Sequence, residues 1–157
     1  MSFITVSDLK NSIYNYQIDQ ITEGDENIPL QAIASAEQEV RSYLAANNKR
    51  EWSDGRLRYD LEAIFNATAE LRNALLVSHT ATIAKYYIVE LCNADIIYEQ
   101  AKERYDRAVN WLKQLAKGEI NLDTLPTIPE DEGTGTGIDD ESTYPFVYGS
   151  REKFNHE

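Results

Sequence analysis

From Glu70 to Cys92 the chain is almost continuously apolar or small: Leu71, Ala74, Leu75, Leu76, Val77, Ile83, Ala84, Tyr86, Tyr87, Ile88, Val89 and Leu91. The stretch shows no strict alternation and is longer than a strand. It reads as a helix buried on most sides, the central helix of the fold. Such a helix needs cover from several neighbours, and the rest of the chain has to supply them.

Three further helices are legible. Ile97, Ala101, Tyr105, Ala108, Leu112 and Leu115 form one stripe at spacings of three and four, within a helix expected over about 96–117. Leu75 and Ile83 are expected to face it in the core. Lys113 and Lys117 lie in its last turns, where cations complement the helix dipole, and Gly118 is a natural C′ residue. A second helix runs from Pro29, tolerated in a first turn, to about Asn47, with Ile33, Ala36, Val40, Tyr43 and Leu44 on one face. Ala34, Ala45 and Ala46 favour that helix and would let a neighbour come close, and Asn47-Asn48 breaks the pattern. A short helix begins at Ser7 as N-cap and carries Leu9, Ile13 and Tyr16, before DQITEGDEN makes a polar loop. Residues 48–70 read as a long connection with a turn at Asp54-Gly55 and a helical turn near 60–66. The fold class is therefore all-α, a small bundle of about four helices, followed by a long, acidic, largely irregular tail.

Charge divides the chain. The whole carries 27 acids against 15 bases, a net charge of −12. From Glu119 to Glu157 there are ten acids against Arg151 and Lys153, so that part alone holds −8. It also holds every proline except Pro29, and the run GTGTG at 133–137. Like charge, glycine and few apolar residues cannot repay the entropy of ordering. The expected layout is a helical domain over 1–118, a flexible acidic linker over 119–143 and an aromatic docking segment over 144–157.

The same charge argues against nucleic-acid binding and against an anionic membrane surface. No apolar run is long enough to span a bilayer. The opening MSFITVSDLKNS lacks the pattern of a signal peptide and reads as the start of a mature cytoplasmic chain.

Residues able to do chemistry are few and scattered. Cys92 is the only cysteine, so it forms no internal disulfide or cysteine zinc cluster, and it reads as a core thiol. His79 has no second histidine at helical spacing, and His156 lies beside the terminus. The acid runs Glu130-Asp131-Glu132 and Asp139-Asp140-Glu141 lack the ligand spacing of a calcium loop, as do Asp25 and Asn27. Glu37, Glu90 and Asp95 could do acid–base work only if buried together. No enzyme, no metal and no cofactor are expected.

The far end of the tail is different. In TYPFVYGSREKFNHE, Tyr144, Phe146, Tyr148, Arg151 and Phe154 crowd together, and aromatics with arginine are the residues that anchor interfaces. These five are the candidate partner contacts. Held on a linker, they gain from a high effective concentration.

Element order and motifs now resemble a known family. AIASAEQEVRSYLA at 32–45, Arg72-Asn73 and Leu76-Val77 opening the helix with IAKYYIVELC, RYDRAVNWLKQLAKGEINLDTLP at 104–126 and SREKF at 150–154 carry the likeness. The chain resembles the Mu-like prophage family of small proteins encoded among head and neck genes. Its members are regarded as head-completion or head–tail connector (adaptor) proteins. The resemblance implies a structural protein that forms a ring of identical copies under the portal. Its contacts would be portal and tail-completion proteins, first in the host cytoplasm and then in the virion neck. An acidic surface suits a channel that passes DNA without holding it. The other reading from charge alone is a soluble acidic regulatory or inhibitory module that binds a basic protein.

Overall fold

The computed structural model describes residues 2–9, 15–49, 55–92 and 95–129. They form six α-helices: α1 (Val6–Leu9), α2 (Asn15–Ile21), α3 (Asn27–Asn48), α4 (Leu61–Asn66), α5 (Ala74–Leu91) and α6 (Asp95–Lys117). A 3₁₀ turn, Ala69–Leu71, leads into α5. The three long helices α3, α5 and α6 pack against one another, and the short elements close their ends. The all-α expectation holds for the described residues.

The core follows from the apolar faces of those three helices. Ala32, Ile33, Ala36, Val40 and Leu44 of α3 meet Leu76, Ile83, Ala84 and Ile88 of α5 and Ala108, Leu112 and Leu115 of α6. The stripe expected on α6 is thus the core face, with Tyr105 half-buried at its edge; the side chain of Ile97 lies outside the described residues. The alanines expected to admit a neighbour on α3 are exposed, and Ala32 and Ala36 take that role.

Helix α5 starts later than its hydrophobicity predicts. Asn73 accepts from the Leu76 N–H at 3.0 Å and caps the helix there, so Glu70 and Leu71 fall into the 3₁₀ turn. Leu71 is 83% exposed and Leu75 42%, which removes Leu75 from the expected core. Leu76, one residue on, is fully buried. A buried-looking run does not say which residue of an apolar pair points inward; the cap sets where the helix begins, and packing against α3 and α6 sets which face turns in.

The amino-terminal expectation also shifts by a few residues. Helix α1 starts at Val6, and Thr5 rather than Ser7 stands at its entry. The Thr5 N–H and hydroxyl both donate to Asp8 Oδ2, at 2.7 and 2.9 Å. The polar loop begins after α2, at Thr22, rather than at Asp19. Ile13 and the side chain of Tyr16 lie outside the described residues. Phe3 and Ile4, ahead of any helix, are buried, and Phe3 packs edge-on to Phe65 at 5.3 Å between ring centres.

Helix α3 ends at Asn48, where the Asn47-Asn48 pair predicts its stop, and Asn47 is 1% exposed. Their amides hold the following connection. Asn47 Nδ2 donates to the Leu57 carbonyl at 2.9 Å. Asn48 pairs with both backbone groups of Tyr59, at 2.7 and 2.8 Å. The expected helical turn near 60–66 is α4, capped by Asp60 accepting from Ala63 N–H at 3.0 Å.

Gly118 ends α6 as predicted, at φ +79°. Its N–H reaches the Leu115 carbonyl at 3.0 Å, and the Glu119 N–H reaches that of Gln114 at 3.0 Å. Those two bonds are the paired closure that a left-handed C′ residue permits. The Arg56 side chain crosses this turn so closely that a Cβ at 118 would lie 1.8 Å from its Cδ.

The chain does not leave the bundle after Gly118, where a linker was expected. It returns along the connection instead. Thr127 pairs antiparallel with Tyr59, flanked by Asp60 N–H to the Pro126 carbonyl at 2.9 Å and Ile128 N–H to the Arg58 carbonyl at 2.8 Å. Leu125 is 4% exposed, and the Leu122 N–H donates to the hydroxyl of fully buried Tyr59 at 2.9 Å. Composition treats 119–129 as part of one acidic segment, but Ile120, Leu122 and Leu125 give this piece enough apolar surface to pack. Residues 130–157 lie outside the described residues.

Candidate interaction surface

The predicted partner contacts Tyr144, Phe146, Tyr148, Arg151 and Phe154 all lie outside the described residues, as do His156 and both tail acid runs. The remaining candidates fall within the bundle and are held apart in separate local roles. Glu37 accepts from the Ser2 hydroxyl at 2.6 Å and the Ile4 N–H at 2.9 Å, and so pins the amino-terminal arm to α3. Glu90 is exposed, and the side chain of Asp95 lies outside the described residues. Asp25 accepts from the Asn27 N–H and amide, both at 2.9 Å, in the turn that leads into α3. Cys92 closes α5, and burial raises its thiol pKa, which lowers the thiolate fraction a nucleophile needs. His79 stacks on Trp111, 4.5 Å between ring centres, and its buried Nε2 has no hydrogen-bond partner among the described residues. Burial lowers its pKa, so the neutral ring is favoured. Among the described residues no group of three or more His, Cys, Asp or Glu side chains could hold a metal ion.

What the bundle does bring together is a cluster of tyrosines around Glu39, a residue the sequence did not single out. Glu39 projects from α3 towards both other long helices. Its Oε2 accepts from the Tyr87 hydroxyl of α5 at 2.8 Å, and its Oε1 from the Tyr105 hydroxyl of α6 at 2.9 Å. Tyr86 stacks on Tyr105 at 4.3 Å between ring centres, and Tyr98 stands 6.0 Å from Tyr86. Tyr43, one turn beyond Glu39 on α3, completes the group. All five tyrosines are half-buried, so each keeps ring surface in water.

The chemistry is that of phenols kept neutral. Burial first, then the hydrogen bond to Glu39 and its charge, push Tyr87 up to about 12. The same causes in the same order raise Tyr105 further. Burial and the charge of Glu39 raise Tyr43. The cluster therefore offers ring faces and neutral hydroxyls, the mixed apolar and polar surface that interfaces favour. The sequence signal was Glu39 four residues before Tyr43 on one face of α3, but its partners depend on how α5 and α6 are rotated.

A model of the family described as Bacteriophage Mu, Gp36 matches residues 3–138. The chain belongs to that family. The match covers the whole bundle and the returning segment, so the resemblance seen in the sequence is confirmed at the level of a phage family. It stops before SREKF at 150–154 and before the five tail contacts. No curated protein and no solved structure matches the chain. No helix of the described residues is long and apolar enough to cross a membrane.

Proposed function

We propose that this phage protein is a structural component of the particle, a head–tail connector or head-completion protein that assembles as a ring under the portal. Membership of the Bacteriophage Mu Gp36 family carries this reading. The half-buried tyrosine face across α3, α5 and α6 supports it, because it supplies anchoring chemistry for a neighbouring copy without unfolding any element. In the ring, Tyr144, Phe146, Tyr148, Arg151 and Phe154 would reach the next copy, or a portal or tail-completion protein. The place of action is the virion neck, after assembly in the host cytoplasm.

The experiment is negative-stain imaging and sedimentation of the full chain over a concentration series, repeated with Tyr86→Ala and Tyr98→Ala together. Rings from the unmodified chain, lost in the double variant while its melting temperature holds, are the expected result. A chain that stays monomeric at every concentration and instead captures a basic protein would favour an acidic regulatory module.

A further inference from the structure

A groove of about 600 Å³ runs along the face of α5 turned away from the tyrosines. Ser78, Thr82 and Lys85 of α5, Arg104 of α6, and Asp8 and Arg72 are among the residues that line it. Lys85 is only 8% exposed. Among the described residues it makes no hydrogen bond and no ion pair. A cation drawn out of water without a counter-charge is costly, and such groups are normally paired.

The other charges along the groove do not relieve it. Asp8 is already engaged by Arg72, whose Nη1 and Nη2 lie 2.8 and 3.1 Å from its two oxygens. Glu70, the other acid of the lining, is exposed. Arg104 is a second cation without an ion pair among the described residues, and it repels the first. Burial, then Arg104, bring Lys85 from 10.5 down to about 8. Among the described residues the site lacks a negative group for Lys85.

We propose that this groove seats a carboxylate from the chain's own acidic stretch, Glu130 to Glu141, beside Lys85 and Arg104. The proposal is independent of the ring reading, because it concerns a single copy. Charge complementarity is the first argument: the stretch holds Glu130, Asp131, Glu132, Asp139, Asp140 and Glu141, with no base among them. Reach is the second. The last described residue is Pro129, and Thr124, Leu125 and Pro126 line a neighbouring cavity that shares Glu70, Arg72 and Ala74 with the groove. From Asn73 to Lys85 is about 18 Å along the helix, more than Glu130 to Glu132 can span and within the about 40 Å of a dozen extended residues, so Asp139, Asp140 and Glu141 are the acids of the stretch that reach it. The overall charge of −12 makes a nucleic acid a poor occupant.

The test compares the full chain with a variant carrying Glu130→Gln, Asp131→Asn, Glu132→Gln, Asp139→Asn, Asp140→Asn and Glu141→Gln. The Lys85 ammonium is titrated in both by NMR. An opposite charge nearby should raise its midpoint by about one unit or more in the full chain over the variant. Equal midpoints would overturn the proposal. Carbodiimide coupling gives a second reading. An amide between Lys85 and an acid of 130–141, persisting on dilution and absent in Lys85→Arg, is expected. Coupling only to Asp8 or Glu70, or to another copy, would overturn it.

Discussion

Glu39 does at one residue what the core does with many. Its two oxygens tie α5 and α6 to α3, at 2.8 and 2.9 Å, through hydroxyls that would otherwise turn to water. Glu39→Ala should cost about 1–3 kcal/mol, the range for losing charge-assisted hydrogen bonds, read in a urea melt. Tyr87 should then titrate below about 12 but still above 10, because burial, the first cause, remains. The unmodified protein holds these phenolic protons more tightly when folded than when unfolded. That stabilisation is whole below pH 10 and drains away as pH rises through about 12. Asp8 works at the other end of the scale. Its hydrogen bond from Arg72 is the main cause lowering its pKa below 3.8, so its contribution is present above pH 3.8 and fades as acid protonates it. Asp8→Asn should lower stability by about 1.5–3 kcal/mol at pH 7 and flatten the acid limb of a stability–pH curve.

The phase of each helix decides which of two neighbouring leucines matters. On α5, Leu76 is fully buried and Leu75 is 42% exposed, although both belong to the same apolar run. Leu76→Ala should cost about 2–5 kcal/mol, as large-to-small changes in a packed core do, and Leu75→Ala should stay under about 1 kcal/mol. On α6 the same contrast holds between Leu112 in the core and Glu103, whose pairing with Arg107 at 2.9 Å is exposed. Leu112→Ala should lose about 2–5 kcal/mol, and Glu103→Ala no more than about 0.5 kcal/mol. Equal effects within either pair in a denaturant melt would refute the assigned helix rotation. The α6 stripe was legible because its opposite face is charged. The α5 phase was not, because apolar residues surround that helix and only the Asn73 cap fixes where it begins.

At the scale of the molecule, the returning segment 119–129 belongs with the bundle. Leu125 is buried, and the backbone around Thr127 pairs with that around Tyr59. A chain ending at Pro129 should keep the fold and lose about 1–2 kcal/mol, the interaction of the carboxylate beside Lys85. A chain ending at Gly118 should lose about 2–4 kcal/mol, the burial of one leucine together with several hydrogen bonds. Calorimetry of the two truncations checks this. Equal melting would return 119–129 to the role of linker.

Local pattern was enough for whatever depends on neighbours within one helix. The stripe from Ala101 to Leu115, the stop at Gly118, the turn near 60–66 and the all-α class are set by three- and four-residue spacing, a glycine at φ +79° and a capping aspartate. Motif order likewise pointed to the family that matches residues 3–138. Tertiary structure decided what depends on a distant partner. Asn48 gripping Tyr59, Glu39 collecting hydroxyls from two other helices, Phe3 and Ile4 joining the core, and Lys85 enclosed with no counter-charge among the described residues all rest on contacts far apart in sequence. Helix periodicity repeats within one element and reports its buried face. It says nothing about which residue of another element will stand opposite, because that follows from how three helices rotate to fill one shared core.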